Sequence, residues 1–263
     1  MPRPSAKAER FRALHQSAFV IANAWDAGSA RILAGLGFQA LATSSGAHAG
    51  TLGRRDGQVT REEALAHARA IVEATDLPVS ADFENCFADE PGAAAETIRL
   101  AAGVGLAGCS IEDAVGGKVY DFDLAVERVA AAARIKSIVL TARAENFLRG
   151  KPDLDDTIRR LQAYEKAGAD VLMAPGLPDL EAVRKVCAAL SKPFNFMAGI
   201  KGKSFSVAEL EAAGVRRISL ATSLWRVAMT GLVGAAREVK EKGTFTYLER
   251  SLSTPDISKF MRE

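Results

Sequence analysis

Short apolar runs, many of them β-branched, alternate with longer stretches of helical period along almost the whole chain. Runs such as Ile138-Val-Leu140 and Val171-Leu-Met173 have no polar alternation. That fits strands buried on both faces, because a half-exposed strand alternates apolar and polar positions. The pattern predicts strands at Phe19–Asn23, Phe38–Ser44, Leu77–Asp82, Leu106–Glu112, Ile138–Arg143, Asp170–Ala174, Pro193–Met197 and Arg217–Ala221. Amphipathic helices are predicted between and after them, at about Ser29–Leu36, Arg61–Thr75, Ala93–Val104, Leu124–Ile135, Leu154–Ala167, Leu180–Leu190, Val207–Ala213 and Leu224–Lys242. Gly37, Gly105, Gly168 and Gly214 each stand between a helical stretch and the next strand, where glycine takes a left-handed helix end without Cβ strain. Asp153-x-x-Asp156 and Ser206-x-x-Glu209 read as helix starts.

Eight strand–helix pairs with short connections predict an α/β fold, a closed parallel (β/α)8 TIM barrel spanning about residues 18–242. A doubly wound open sheet is the structural alternative. No linker or compositional break divides the chain, so residues 1–263 read as one domain, with 243–263 as a helical extension beyond the barrel.

Composition narrows the function classes. The 34 basic and 32 acidic residues are interspersed and leave a net charge of +2, with no basic stripe suited to nucleic acid. No apolar run reaches membrane-spanning length and the first ten residues have no apolar signal core. Cys86, Cys109 and Cys187 are odd in number and far apart, which argues against disulfides and points to a reducing cytoplasm. The three histidines have no metal-ligand spacing, so zinc chemistry has little to work with.

In a barrel of this kind the active site lies at the C-terminal ends of the strands. Those ends read Asn23-Ala-Trp-Asp26, Thr43-Ser-Ser-Gly46, Asp82-Phe-Glu84, Glu112-Asp113, Arg143-Ala-Glu145 and Asn195. Acids crowded on one rim repel one another unless a cation holds them, and all-oxygen donors suit Mg²⁺ or Mn²⁺. Asp82, Glu84 and Glu112 end neighbouring predicted strands, so their carboxylates are expected to converge on one ion. Arg143 could face a substrate carboxylate with its planar fork. The bland reading is that each acid caps the next helix or pairs with a nearby Lys or Arg.

Five blocks in order, Asn23-Ala-Trp-Asp26-Ala-Gly-Ser-Ala-Arg31, Ser44-Ser-Gly46, Ser80-Ala-Asp82-Phe-Glu84, Ser110-Ile-Glu112-Asp113 and Thr141-Ala-Arg143, resemble the isocitrate lyase/phosphoenolpyruvate mutase superfamily from about Phe19 to Arg226. The resemblance implies a divalent metal, enolate-type intermediates, and a helix swapped between subunits of a dimer or tetramer. It assigns Asp82 as the direct metal ligand, with Glu84 and Glu112 as further acids acting on the metal through water. Asp56 matches another water-mediated acid, and Asp56, Glu112 and Arg143 are the residues expected to act in catalysis. Ser45, Gly46 and Ala47 match the loop that receives the substrate, Arg143 its carboxylate partner, and Asn195 and Arg226 further substrate contacts. The implied reaction is cleavage of a C–C bond in a small 2-oxo or 2-hydroxy (di)carboxylate, releasing an oxo acid such as pyruvate. The alternatives are P–C bond chemistry on a phosphonopyruvate-like substrate, or a barrel that binds carboxylates without catalysis.

The departures are specific. The lyases carry a loop with Cys-Gly-His after the fourth strand, whereas Ala114-Val-Gly-Gly-Lys-Val-Tyr-Asp121 is short and has neither Cys nor His. The family's Gly-aromatic-Gly turn is here Cys86-Phe87-Ala88. Gly202-Lys203-Ser204 looks like the tail of a P-loop but lacks its first glycine, since residue 197 is Met; Lys201 and Lys203 read as solvated. Cys109 and Cys187 read as structural, Cys86 as inert for want of an activating histidine, His48 as a loop hydrogen-bonder. Trp25 either walls the pocket or packs.

Overall fold

The computed structural model describes residues 4–261. The chain opens with helix α1 (Ala6–Leu14), capped by Ser5, and then winds β1 (Phe19–Asn23), α2 (Ala27–Gly35), β2 (Leu41–Ala42), α3 (Ser45–Thr51), α4 (Arg61–Ala74), β3 (Val79–Ala81) and α5 (Pro91–Gly103). It continues through β4 (Gly108–Glu112), the hairpin β5 (Ala114–Val115) and β6 (Lys118–Val119), α6 (Phe122–Ala132), β7 (Val139–Arg143), α7 (Leu154–Ala167), β8 (Val171–Met173) and α8 (Leu180–Ala188). Strand β9 (Phe194–Met197), α9 (Val207–Ala212), β10 (Arg217–Ser219) and the long α10 (Ser223–Lys242) complete the barrel; a 3₁₀ turn (Thr246–Arg250) and α11 (Thr254–Ser258) follow.

Eight of these strands, all parallel, close a barrel in the order β1-β10-β9-β8-β7-β4-β3-β2. The predicted TIM barrel is the observed fold. Its four predicted glycine stops all adopt positive φ, from 89° at Gly105 to 108° at Gly168. Both predicted helix starts cap as expected, Asp153 accepting from Asp156 N–H and Ser206 forming a capping box with Glu209. The main core lies between the sheet and the helix ring, and a second cluster including Ala8, Phe11, Phe19 and Ile21 closes the bottom. Helix α1, which the sequence pattern did not predict, supplies that plug. Gly108 makes room for it, since a Cβ there would meet the Phe11 ring at 2.6 Å.

Three local differences bear on the site. The second strand is shorter than the predicted 38–44, because Ser44 leaves the ladder to cap α3 through Ala47 N–H. That segment is a short helix rather than a loop, despite two glycines in its sequence. Gly50 lets Trp225 of α10 lie against it, where a Cβ would meet the indole at 2.4 Å. The stretch after the fourth strand is a hairpin, turned by Gly116 and Gly117 at φ 54° and 82°, as a two-residue turn with left-handed residues requires. The helical extension also appears, and Phe260 returns to α2, filling the space a side chain at Gly35 would take.

At the bottom, His15 is buried between the rings of Phe11 and Phe19. Its Nδ1–H donates to Phe11 O at 2.8 Å, leaving Nε2 to accept from Arg217 Nη1 at 3.4 Å. Burial, and then the Arg217 charge, pull its pKa down to about 3. A base depressed in the folded state stabilises fully above its unfolded pKa of 6.5, and that stability is lost as pH falls toward 3. From pH 6.5 to 5 the loss from this group is ~2 kcal/mol. Urea unfolding is expected to show stability falling from pH 7 to 5, with a shallower fall in His15→Gln. Equal slopes in both proteins would remove His15 from the account.

Candidate active site

At the C-terminal ends of the strands the barrel opens into a cavity of about 310 Å³ that reaches down its interior. Asn23, Ser45, Gly46, Asp56, Asp82, Glu112, Arg143, Asn195 and Arg226 all line it. The strand-end reading therefore named residues that one cavity brings together from sequence-distant segments.

Arg143 is its centre. The last residue of β7, it is buried and clamps three carboxylates, with Nη1 3.0 Å from Asp82 Oδ1 and 2.9 Å from Glu112 Oε1, and Nη2 2.9 Å from Glu145 Oε1. Burial disfavours its charge, but Glu112, Glu145 and Asp82 together overcome that and raise its pKa. Asp82 is held on both oxygens. Ser45 donates to Oδ2 from its backbone N–H (3.2 Å) and its hydroxyl (3.1 Å), while Ser110 donates to Oδ1 at 3.3 Å. Glu112 is gripped from its other oxygen by Arg149 Nη2 at 3.1 Å, and burial pushes its carboxyl pKa up against the pull of both arginines. Gly46 is required by close approach, since a Cβ would meet the Asp56 carboxylate at 3.3 Å and Thr222 at 3.2 Å.

Two expected residues are placed differently. Ala47 is buried inside α3 and does not line the cavity; helix formation turns it inward while Ser45 and Gly46 stay on the wall. Glu84 lines a separate recess of about 10 Å³ behind Asp82, beside His48, His67 and Phe87. It sits at φ 49°, and Cys86 and Phe87 follow at 61° and 57°. The acid loop thus adopts left-handed conformations at the first two positions of the family's Gly-aromatic-Gly turn, although neither residue is glycine. Burial, then Asp56 and Asp82, raise the Glu84 pKa to about 7. Asp26 and Asp113 follow the bland reading, one capping α2 and the other bonded to Tyr164 and Arg160.

The sequence reading missed Arg149 and Arg217, both of which line the cavity. Arg149 sits on a loop with no pattern to flag it. Arg217 did carry a signal, because period two puts it on the same strand face as Ser219, whereas Arg216 takes the opposite face.

Among the described residues, no three His, Cys, Asp or Glu side chains come close enough together to cage an ion. The expectation that Asp82, Glu84 and Glu112 converge on one point is therefore corrected; Arg143 lies between Asp82 and Glu112, and Glu84 is set behind. The donor set still fits Mg²⁺ or Mn²⁺, which are usually held by one or two carboxylates and keep several waters. Asp82 faces the cavity with Glu112 and Asp56 around it, so those acids could hold such an ion's water shell.

Residues 11–240 match the family described as phosphoenolpyruvate phosphomutase. The chain belongs to that family. It is 30% identical to a probable 2-methylisocitrate lyase of Corynebacterium glutamicum over 83% of this chain and 75% of that one. An uncharacterized protein of Mycobacterium tuberculosis strain H37Rv is 31% identical, over 88% of this chain and 89% of that one. Among solved structures, a lyase/mutase candidate from Burkholderia cenocepacia J2315 superposes with a TM-score of 0.94 at 47% identity, covering 98% of this chain and 96% of that one. A 2,3-dimethylmalate lyase of the PEP mutase/isocitrate lyase superfamily superposes at 0.87 with 26% identity, covering 97% and 95%. Fold and kinship together make this chain an enzyme of the carbon–carbon lyase and mutase type.

Relative to the family's lyase loop, the β5–β6 hairpin supplies no acid thiol, and the cysteines elsewhere do not replace it. Cys86 is fully buried, its thiol against Ser110 O at 3.6 Å, and burial pushes its pKa up to about 12. Cys109 is buried in β4, and Cys187 is half-buried in α8. His48 stacks on His67 at 3.7 Å with neither ring nitrogen hydrogen-bonded, contrary to its expected loop role. Lys203 is tied to Gly176 O at 3.0 Å. Trp25 does not line the cavity; its carbonyl accepts from His67. Under native conditions, mass spectrometry after iodoacetamide is expected to find slow labelling at Cys187, with Cys86 and Cys109 labelled only on unfolding. Rapid labelling of Cys86 would contradict its burial.

Proposed function

We propose that this enzyme is a Mg²⁺- or Mn²⁺-dependent lyase that cleaves a C–C bond of a small 2-oxo or 2-hydroxy (di)carboxylate and releases an oxo acid such as pyruvate. The observation that carries the reading is the cavity-facing Asp82 carboxylate, held by Ser45, Ser110 and Arg143. The lyase names of several relatives support it, 2-methylisocitrate lyase and 2,3-dimethylmalate lyase among them.

Asp82 would be the protein's direct ligand to the metal, with Glu112 and Asp56 orienting its waters. When bound, such an ion supplies a positive centre for the oxygen that gathers charge as the bond breaks. Ser45 and Gly46 wall the place where the oxo acid head sits, with Arg143 beside it as the candidate partner of its carboxylate. Asn195 and Arg226 complete the wall, the Arg226 guanidinium fixed by a hydrogen bond to Gly199 O. Donors fixed before substrate arrives stabilise developing charge without reorganising. A second reading, P–C bond chemistry, is favoured by the four arginines that line the cavity, Arg143, Arg149, Arg217 and Arg226.

The enzyme is also proposed to act in the cytoplasm as a homo-oligomer, dimer or tetramer. Helix α10 has no buried residue, and Val227 (69%), Leu232 (61%) and Val233 (47%) are exposed along it. Apolar side chains exposed along a helix of that length need a cover, and a second copy offers the same helix. Light scattering at micromolar concentration should give two or four chain masses; a single chain mass would end this reading.

The chemistry is tested by titrating Mg²⁺ or Mn²⁺ calorimetrically into wild type and Asp82→Asn, with turnover assays on oxaloacetate, methylisocitrate, dimethylmalate and phosphonopyruvate. Asp82→Asn should lose metal binding and at least a hundredfold in turnover while remaining folded by circular dichroism. Equal metal affinity in both proteins would place the ion elsewhere. Turnover of phosphonopyruvate alone would select the second reading, and binding without turnover of any substrate would select a non-catalytic barrel.

A further inference from the structure

Two buried guanidinium groups share the cavity and live under opposite conditions. Arg143 touches three carboxylates. Arg217, at the start of β10, touches none among the described residues. Its side chain crosses the barrel interior to reach neutral acceptors, with Nε 2.9 Å from Asn195 Oδ1, Nη2 2.9 Å from Thr141 Oγ1 of β7, and Nη1 3.4 Å from His15 Nε2. Those bonds fix its plane and place it beneath the site, on the cavity's lower wall. They engage three of the five N–H groups of the fork and leave one on each terminal nitrogen.

A buried charge without a partner costs several kcal/mol, and proteins ordinarily pair it or neutralise it. Burial, followed by repulsion from Arg143, draws the Arg217 pKa down to about 9, so the group still carries its charge at neutral pH. The Phe11 ring, its centroid 5.7 Å from the Arg217 Cζ, offers the charge a π face but no counter-charge. Asn195 and Thr141 could be satisfied by a neutral amide, and His15 needs only one donor at Nε2. A sequence that breaks the rule on buried charge at the closed end of a substrate cavity does so where function requires it. A charge held rigid by three fixed acceptors, and lining the cavity, is suited to receive an anion.

We propose that Arg217 seats a second anionic group of the substrate, so that the enzyme takes a dianion lying along the barrel axis. Its 2-oxo or 2-hydroxy acid end sits by Ser45, Asp82 and Arg143, and its far end, a carboxylate or phosphonate, meets Arg217. This rests on the lyase reading for the position of the first end. Asn195, accepting from Arg217 Nε and donating to Ser219 Oγ at 3.1 Å, is then a positioning residue for the arginine as well as part of the wall.

The test compares wild type, Arg217→Gln and Arg217→Lys in the presence of Mg²⁺, measuring calorimetric affinity for pyruvate, malate and phosphonopyruvate together with melting temperature. The wild type should bind at least one dianion tenfold or more tighter than pyruvate. Arg217→Gln should abolish that advantage while changing pyruvate affinity less than threefold, and Arg217→Lys should recover part of it. The melting temperature of Arg217→Gln should hold or rise, because an unpaired buried charge has been removed. Loss confined to malate assigns a carboxylate to the seat; loss confined to phosphonopyruvate assigns a phosphonate. Equal weakening of pyruvate and both dianions, or a dianion advantage unchanged in Arg217→Gln, overturns the proposal. So does a wild type that binds neither dianion. If Arg217→Gln fails to fold, the arginine is structural and the proposal falls unless Arg217→Lys, folded, shows the selective loss. Arg217-dependent dianion binding without C–C cleavage would sink the lyase reading and leave this seat standing. Cleavage of a diacid whose KM ignores position 217 would do the reverse.

Discussion

The mouth of this barrel is organised around one buried guanidinium. Arg143 cannot sit uncharged, and it cannot sit charged without the acids that β3, β4 and the loop after β7 bring to it. Those acids are equally dependent on it, since removing one partner of a buried ion cluster strands the others at a cost of several kcal/mol. The clamp therefore fixes the relative rotation of three strand ends. Ser45 joins by gripping the far side of Asp82, which ties the first turn of α3 into the same network. A substrate thus meets donors and acceptors whose positions were settled by the fold.

Much of this could be read from residue order. The strands stand out because both faces of a barrel strand are covered, so several of them are nearly unbroken apolar runs. Asp82, Glu112 and Arg143 stand out because each is a charged residue closing a run otherwise free of charge. Other parts were invisible for equally physical reasons. Helix α3 is held by its Ser44 cap and by Trp225 lying on Gly50, a contact that no local propensity encodes. Helix α1 is short and carries four charged residues in nine, and only its tertiary place beneath the barrel explains its burial of Phe11. The convergence of Glu84 with Asp82 and Glu112 failed because the loop turns left-handed at Glu84, and three exceptions to L-residue preference within four positions leave no trace in composition.

That left-handed loop is held without the glycines that usually take such conformations. Each non-glycine residue held there costs of order 1–3 kcal/mol and persists only when its surroundings dictate it. Cys86 and Phe83 are buried, and Arg128 bonds the carbonyls of Asn85, Ala88 and Asp89. Packing and one guanidinium hold the backbone where glycine elsewhere would let it settle unaided.

The floor of the cavity has a different origin in time. Arg217 meets His15 across 202 positions of sequence and Thr141 across 76. Contacts of such separation form late, because loop closure must be completed before they reward the chain. On a ribosome, α1 and the first seven barrel strands emerge before β10 exists to bridge them. The mouth, built largely from β3, β4 and β7, can assemble while the barrel is still open on one side. The deep end of the site exists only when the two ends of the barrel have met, so it reports closure of the whole ring.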